Sequence, residues 1–326
     1  MKAYLTLENG LFLEGRSFGA EGEITGEVVF NTGLTGYQEI LTDPSYYGQI
    51  VTMTYPLIGN YGVNEEDFES TIPWVRGFIV KEYCPYPSNW RSKGNLEDFL
   101  KKYNIIGIQD IDTRYLTRQI RESGAMRGII STIDNDKNSL LKKVKSSPEI
   151  TGQDYVKYVS CKSSKICTEI DLSPSSVETS LAKSIDANST SSIHADRSKG
   201  EKYRVAVYDF GVKLNILRSL INPGCEIIIF PADTPPTEIL SHNPDGILLS
   251  NGPGDPAAVT YAVQNVKKII GKKPIFGICL GHQILAIALG GKTYKLKFGH
   301  HGVNHPVKNL LTGKIEITVQ NHGFAV

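Results

Sequence analysis

No apolar run in this sequence comes near the roughly 20 residues that a membrane-spanning helix needs. The amino terminus, Met1-Lys-Ala-Tyr-Leu-Thr-Leu, alternates like a strand and lacks the apolar block of a secretory signal. Neither sign of charge is in excess. The 35 Lys and Arg stand against 34 Asp and Glu, for a formal net charge of +1, which offers no electrostatic reason to bind nucleic acid or an anionic membrane. Cysteine is sparse. Cys84, Cys161, Cys167, Cys225 and Cys279 form no C-x-x-C pair and no dense framework, so a reducing, cytoplasmic setting is expected. Internal repeats are also absent. The chain does have 40% hydrophobic residues, enough for ordinary cores, and at 326 residues it is too long for one average domain, so two are expected.

Residues 1–160 read as one mixed β/α domain. Asn9-Gly10 is a hairpin signal between strands at 3–7 and 11–13. Further strands are expected at 27–31, 49–54, 75–80 and 126–131, and helices at 96–103, 113–122 and 137–145, with Asp112 or Thr113 as a cap. The Gly-, Thr- and Asp-Pro-rich segment 32–46 reads as turns around one short helix. Residues 161–202 turn rich in Ser, Thr, Lys and Asp and read as a linker. Beyond it, 203–326 alternates strands and helices. That pattern predicts a parallel sheet with right-handed crossovers and a site at the carboxyl ends of its strands.

One stretch organises this second region. Pro274-Ile-Phe-Gly277-Ile-Cys279-Leu-Gly281-His-Gln283 is a short apolar strand, a glycine-flanked turn and a helix start, with a thiol at the apex. A strained turn of this kind needs small neighbours. It sets the sulfur near a helix N-terminus, where free N–H groups favour a thiolate, and offers the Leu280 N–H to a developing oxyanion. A plainly buried Cys is the competing reading. Ser250-Asn-Gly252-Pro-Gly254-Asp-Pro256 follows another strand and suits the second half of an oxyanion hole, although alone it would read as a turn. His282 should project away from the apex, whereas Gln283 could turn back to hydrogen-bond a substrate amide or carboxylate. The histidines of 298–306 invite a metal reading, but no carboxylate or Cys accompanies them and His-Gly and His-Pro suit turns; no metal is expected. Residues 315–319 alternate as a strand, and His322 follows in Gln320-Asn-His-Gly-Phe-Ala-Val326, where pairing with Cys279 or a binding-loop role are both open.

These residues together carry a specific resemblance. Gly277-Ile-Cys-Leu-Gly-His-Gln283 resembles the nucleophile motif of class I glutamine amidotransferases, and the 250–256 loop resembles their oxyanion strand. With Asn31-Thr-Gly-Leu-Thr-Gly-Tyr-Gln-Glu39, Tyr208-Asp-Phe-Gly-Val-Lys213, the 298–306 segment and Asn321-His-Gly-Phe324, the set is similar to the small, glutaminase subunits of carbamoyl-phosphate synthases. The resemblance implies an α/β chain: an amino-terminal small-subunit domain (1–160), the linker (161–202) and an amidotransferase domain (203–326). It implies that Cys279 attacks the side-chain amide of L-glutamine, giving a thioester and ammonia, with Leu280 and Gly252 holding the oxyanion. Ser45, Gly252, Gly254, Leu280, Gln283, Asn321, Gly323 and Phe324 would contact glutamine, so both halves of the sequence would contribute. Ammonia would pass to a large subunit that uses ATP, Mg and bicarbonate; no cofactor is expected in this chain. The product would feed arginine and pyrimidine synthesis. The family's His-Pro-Glu motif, which supplies the base and its orienting carboxylate, does not occur in the 326 residues. The expectation is a chain that continues past Val326; a non-catalytic docking subunit of the same synthase is the alternative.

Overall fold

A computed structural model describes residues 1–167 and 202–326 and divides into two compact units. The first comprises 1–68, 72–153 and 294–325, and the second 69–71, 154–293 and Val326. The last hairpin of the chain therefore groups with the amino-terminal unit, although the sequence reads it as part of the second domain.

The first unit is built on strands β1 (Lys2–Leu7), β2 (Phe12–Gly19), β3 (Glu23–Asn31), β4 (Gln49–Met53), β5 (Leu57–Ile58), β6 (Gly77–Ile79), β7 (Glu82–Tyr83), β8 (Ile106–Gln109) and β9 (Met126–Ser131). Seven close a barrel in the order β1-β2-β8-β6-β4-β3-β9, with β9 pairing back to β1; β5 and β7 form a separate parallel pair. Pairing is parallel through β3, β4, β6 and β8 and antiparallel elsewhere. Leu5, Leu7, Val28, Ile50, Ile79, Ile108 and Ile130 bury within one of its apolar clusters.

Helices α1 (Tyr37–Thr42), α2 (Leu96–Lys102), α3 (Thr113–Ser123) and α4 (Lys137–Ser146) decorate the barrel. The Asp112 carboxylate caps α3 by accepting from the Tyr115 N–H at 2.9 Å, and Leu116 and Ile120 form its buried i, i+4 stripe. Asp136 caps α4 in the same way, accepting from Asn138 and Ser139. The segment after α1 is a single 3₁₀ turn, Pro44–Tyr46, capped by Asp43, whose side chain accepts from the Ser45 N–H at 2.8 Å.

The second unit holds α5 (Val156–Val159), β10 (Lys165–Cys167), β11 (Arg204–Asp209), α6 (Leu214–Ile221), β12 (Glu226–Pro231), α7 (Pro236–Ser241), β13 (Gly246–Leu249), α8 (Thr260–Ile269), β14 (Ile275–Gly277) and α9 (Leu280–Ala288). Its sheet runs β10-β12-β11-β13-β14, parallel except for β10. Alternation along the strands fills two layers. Ala206, Tyr208, Ile228, Phe230 and Leu249 pack with Val263, Val266 and Ile284, while Val207, Ile227, Ile229 and Leu248 pack with Leu214 and Leu217. Lys165–Cys167, read from sequence as linker, is an ordered edge strand here; 168–201 of that expected linker lies outside the described residues.

The final hairpin, β15 (Tyr294–Lys308) and β16 (Ile315–Ala325), departs from the turn reading of 298–306. These residues form strand, interrupted by register shifts between Lys295 and His300 and between Gly302 and His305. Such irregularities absorb Gly299, at φ 73°, without ending the ladder.

Candidate active site

In the second unit, β14 runs into α9 through Ile278 and Cys279. Cys279 has φ 51° and ψ −108°, a positive-φ conformation that costs a residue with a side chain about 1–3 kcal/mol and marks the strained apex expected of a nucleophile elbow. The turn is pinned on both sides. Ile278 N–H donates to the Leu249 carbonyl at 2.9 Å, Gly281 N–H to the Ser250 carbonyl at 3.0 Å, and Gln283 N–H to the Cys279 carbonyl at 3.0 Å. Neither flanking glycine could carry a side chain. A Cβ on Gly277 would sit 2.6 Å from the His282 nitrogen, and one on Gly281 would overlap the Leu249 carbonyl.

Ser250-Asn251-Gly252 follows β13, the strand beside β14, so loop and elbow emerge at the same sheet edge. Ser250 Oγ accepts from Phe210 N–H at 2.9 Å and donates to the Asn251 carbonyl at 2.8 Å; Asn251 Oδ1 accepts from Lys213 N–H at 3.1 Å and its Nδ2 donates to the Gly211 carbonyl at 2.9 Å. Gly252 presses against the Phe210 carbonyl, and a Cβ there would meet Leu280 Cδ2 at 2.8 Å. The Gly252 and Leu280 N–H groups make no hydrogen bond among the described residues, whereas the Gly281 N–H next along the turn is used. Two unengaged N–H groups beside a strained cysteine, one at the first residue of a helix, are the type of donors that an oxyanion hole requires. Gly254 has φ 86°, Gln283 is buried, and His282 is exposed, away from the packed side of α9 as expected.

The first unit holds the other expected contacts. His301, fully buried on β15, bonds through Nδ1 to Asn321 Oδ1 at 2.8 Å, and Asn321 Nδ2 donates to Asp43 Oδ2 at 3.0 Å. The remaining Asp43 oxygen caps the Ser45 turn, so one relay links Ser45 to Asn321 across 276 positions of sequence (321 − 45). Because Asn321 gives its amide N–H to a carboxylate, its oxygen faces His301 Nδ1–H, and His301 is held neutral with Nε2 buried and unpartnered. Burial pushes its pKa down from 6.5 to about 4.

His322 Nδ1 donates to the Phe324 carbonyl at 2.8 Å, and its Nε2 shares a hydrogen bond with His300 Nδ1 at 3.2 Å. Both ring nitrogens of His322 are thus engaged. His300 is pushed down by desolvation and then by the neighbouring His322 and His305. Lys295 Nζ sits 5.2 Å over the Phe324 ring and 2.6 Å from Glu27 Oε1; a Cβ on Gly323 would be 3.9 Å from it.

Of the nine sequence-predicted site residues, Cys279, Gly252, Gly254, Leu280 and Gln283 lie in the second unit, and Ser45, Asn321, Gly323 and Phe324 in the first. Sequence reasoning missed Asp43, His301, Lys295 and Glu27. The Asp-Pro turn and the His-His pair were visible signals, but nothing local said that they meet. Among the described residues, no group of three or more His, Cys, Asp or Glu side chains could hold a metal ion, and no helix is long and apolar enough to cross a membrane.

Comparison with known proteins bears on both units. Residues 5–130 match the family model described as carbamoyl-phosphate synthase small chain, CPSase domain, and residues 206–326 match that of the class I glutamine amidotransferases. The carbamoyl phosphate synthase small chain of Syntrophotalea carbinolica is 56% identical over 328 residues, covering 100% of this chain and 82% of that protein. The small chain of Aquifex aeolicus is 52% identical, over 99% of this chain and 83% of that protein. The pyrimidine-specific small chain of Bacillus subtilis is 48% identical, over 100% and 80% respectively.

Proposed function

The chain belongs to the carbamoyl-phosphate synthase small-chain family, and from that premise we propose that it hydrolyses L-glutamine and passes ammonia to a large-chain partner for carbamoyl phosphate formation. The observation that carries the reading is the pairing of Cys279, strained at its elbow, with the unengaged N–H groups of Leu280 and Gly252. The Cys279 thiolate attacks the side-chain amide carbon. Leu280 and Gly252 N–H take the charge that develops on the amide oxygen. The C–N bond breaks, the nitrogen leaves as ammonia with a proton from a general acid, and the acyl group stays on sulfur. Water then attacks the thioester, releasing glutamate and restoring the thiol. Ser45, Gly254, Gln283, Asn321, Gly323 and Phe324 are the proposed glutamine contacts. His301 and Asp43 act behind Asn321 as positioning residues, fixing which end of its amide a ligand would meet. ATP and Mg belong to the partner in this reading, the product enters arginine or pyrimidine synthesis, and the setting is cytoplasmic.

The test is Cys279→Ser in the full chain with its large-chain partner. Glutamine-dependent ammonia release should fall at least about a thousandfold, while synthesis from added ammonia persists. Unchanged glutamine-dependent synthesis would instead leave a docking subunit that performs no hydrolysis.

A further inference from the structure

A second concave site lies in the first unit, built from residues outside the proposed hydrolysis. Helix α3 carries Arg114, Arg118 and Arg121, at i, i+4 and i+7, so three guanidinium groups share one stripe. With Thr117 from the same helix, and Thr32 and Thr54 opposite, they line a cavity of about 500 Å³. Thr32 follows β3 directly and Thr54 follows β4. The two strands are parallel partners, and Thr54 N–H donates to the Asn31 carbonyl at 3.0 Å. The cavity thus opens at the carboxyl ends of two parallel strands, where open backbone and side-chain donors gather.

The lining residues are three arginines and three threonines, and among the described residues no Asp or Glu lines the cavity. Packing does not require the arginines, because the buried stripe of α3 is Thr113, Leu116 and Ile120. Three like charges on neighbouring turns are mutually unfavourable until a counter-charge joins them. The chain supplies little: Arg118 reaches Glu122 at 4.0 Å, both being more than 60% exposed, and Arg114 and Arg121 make no ion pair or hydrogen bond among the described residues. The Thr117 hydroxyl oxygen is shielded from solvent and has no partner. A shielded, unsatisfied hydroxyl beside three forked cations is a site awaiting an acceptor.

We infer that this pocket binds an oxyanion, a phosphoryl or carboxylate group, carried either by a free small molecule or by an acidic side chain of the large-chain partner. The partner source rests on the function proposed above; the free source does not. Calorimetric titration of the full chain with pyrophosphate at low ionic strength separates the two. With a free ligand, pyrophosphate binds, binding weakens with salt, and the double substitution Arg114→Gln, Arg121→Gln lowers affinity about tenfold or more. With a partner carboxylate, pyrophosphate does not bind, but the double variant associates with the large chain about tenfold more weakly and with a shallower salt dependence. Thr117→Val, which keeps the side-chain shape, should weaken the same interaction by a smaller factor and guards against misfolding of the charge variants. Unchanged pyrophosphate binding and unchanged partner association in both variants would overturn the inference. Ammonia release by the Cys279→Ser chain is read separately, so failure of the glutaminase reading leaves the pyrophosphate result standing.

Discussion

Two three-residue strands of nearly mirrored sequence have opposite fates in this molecule. Gly77-Phe78-Ile79 (β6) lies between β4 and β8 in the closed barrel, and Phe78 is 0% exposed. Among the described residues, Ile275-Phe276-Gly277 (β14) pairs with β13 alone, and Phe276 is 68% exposed. Composition does not distinguish them; neighbours do. A barrel uses both edges of every strand, whereas an open parallel sheet leaves strand ends and an edge accessible. The elbow of Cys279 follows directly from that last strand.

The comparison breaks most visibly at these two phenylalanines. Phe78→Ala should cost about 4 kcal/mol of unfolding free energy, because a fully buried ring leaves a cavity that a barrel closed on all sides cannot collapse. Phe276→Ala should cost about 0.5 kcal/mol or less. Urea unfolding of the two variants reads the difference directly. Equal losses would mean that the open edge is covered in solution.

A matched steric defect sharpens the contrast between scaffold and site. A Cβ on Gly281 would overlap the Leu249 carbonyl, and one on Gly107 in β8 would overlap the Phe18 carbonyl. Each alanine substitution should cost about 3 kcal/mol, since backbone must move in both cases. Only Gly281→Ala should also abolish glutamine-dependent ammonia release, because the displaced backbone is the one that carries Cys279 and the Leu280 N–H. A Gly107→Ala chain that is still folded should retain it. Ammonia release measured well below each variant's melting temperature separates lost folding from lost chemistry.

What could be read in the sequence follows the range of the interactions. The Asp112 cap, the amphipathic α3 and the glycine-framed elbow are local, and each stands where the residues place it. The parallel order of β11, β12, β13 and β14 follows from strand–helix alternation. Barrel closure is different. It needs β9 to find both β1 and β3, pairings between residues as far apart as Tyr4 and Ser131 that no local pattern encodes. The same holds for the hairpin. Gly299 and Pro306 look like turn formers, but the structure puts them in a strand: Gly299 falls in a register shift, and Pro306 is paired with Ile317 in a two-stranded hairpin. The Asp43–Asn321 hydrogen bond was invisible for the same reason, its partners lying 278 positions apart.

The smallest effects should come from the buried titratable groups: an acid limb from the first unit, and an alkaline limb that the second unit shares with Tyr37 and Tyr61 of the first. In the first, His301 is neutral when folded, its pKa lowered from 6.5 to about 4 by burial. Above pH 6.5 neither state of the chain is protonated there. As pH falls from 6.5 toward 4 the unfolded chain takes up a proton that the folded chain refuses, so stability is lost across that window and levels off below it. The gap sets a ceiling of about 3 kcal/mol, which relaxation and water entry trim to about 2 kcal/mol. Both tryptophans, Trp74 and Trp90, lie in this unit, so their fluorescence during acid titration reports it, and His301→Gln should shrink the 4–6.5 limb to the part that His300 contributes. In the second unit burial raises the Cys161 thiol above its ordinary 9.0, with the Asp209 charge adding to the shift. The sign reverses. Below pH 9.0 both states hold the proton; above it only the unfolded chain releases one, so stability falls as pH rises. Buried Tyr208 and half-buried Tyr261 act in the same direction, but from an ordinary value of 10.0, which leaves the onset between 9.0 and 10.0 to Cys161 together with Cys167, whose thiol burial also raises. Cys161→Ala should delay that onset and leave the acid limb untouched. An acid limb that moved with Cys161, or an alkaline one that moved with His301, would mean that the two units unfold as one.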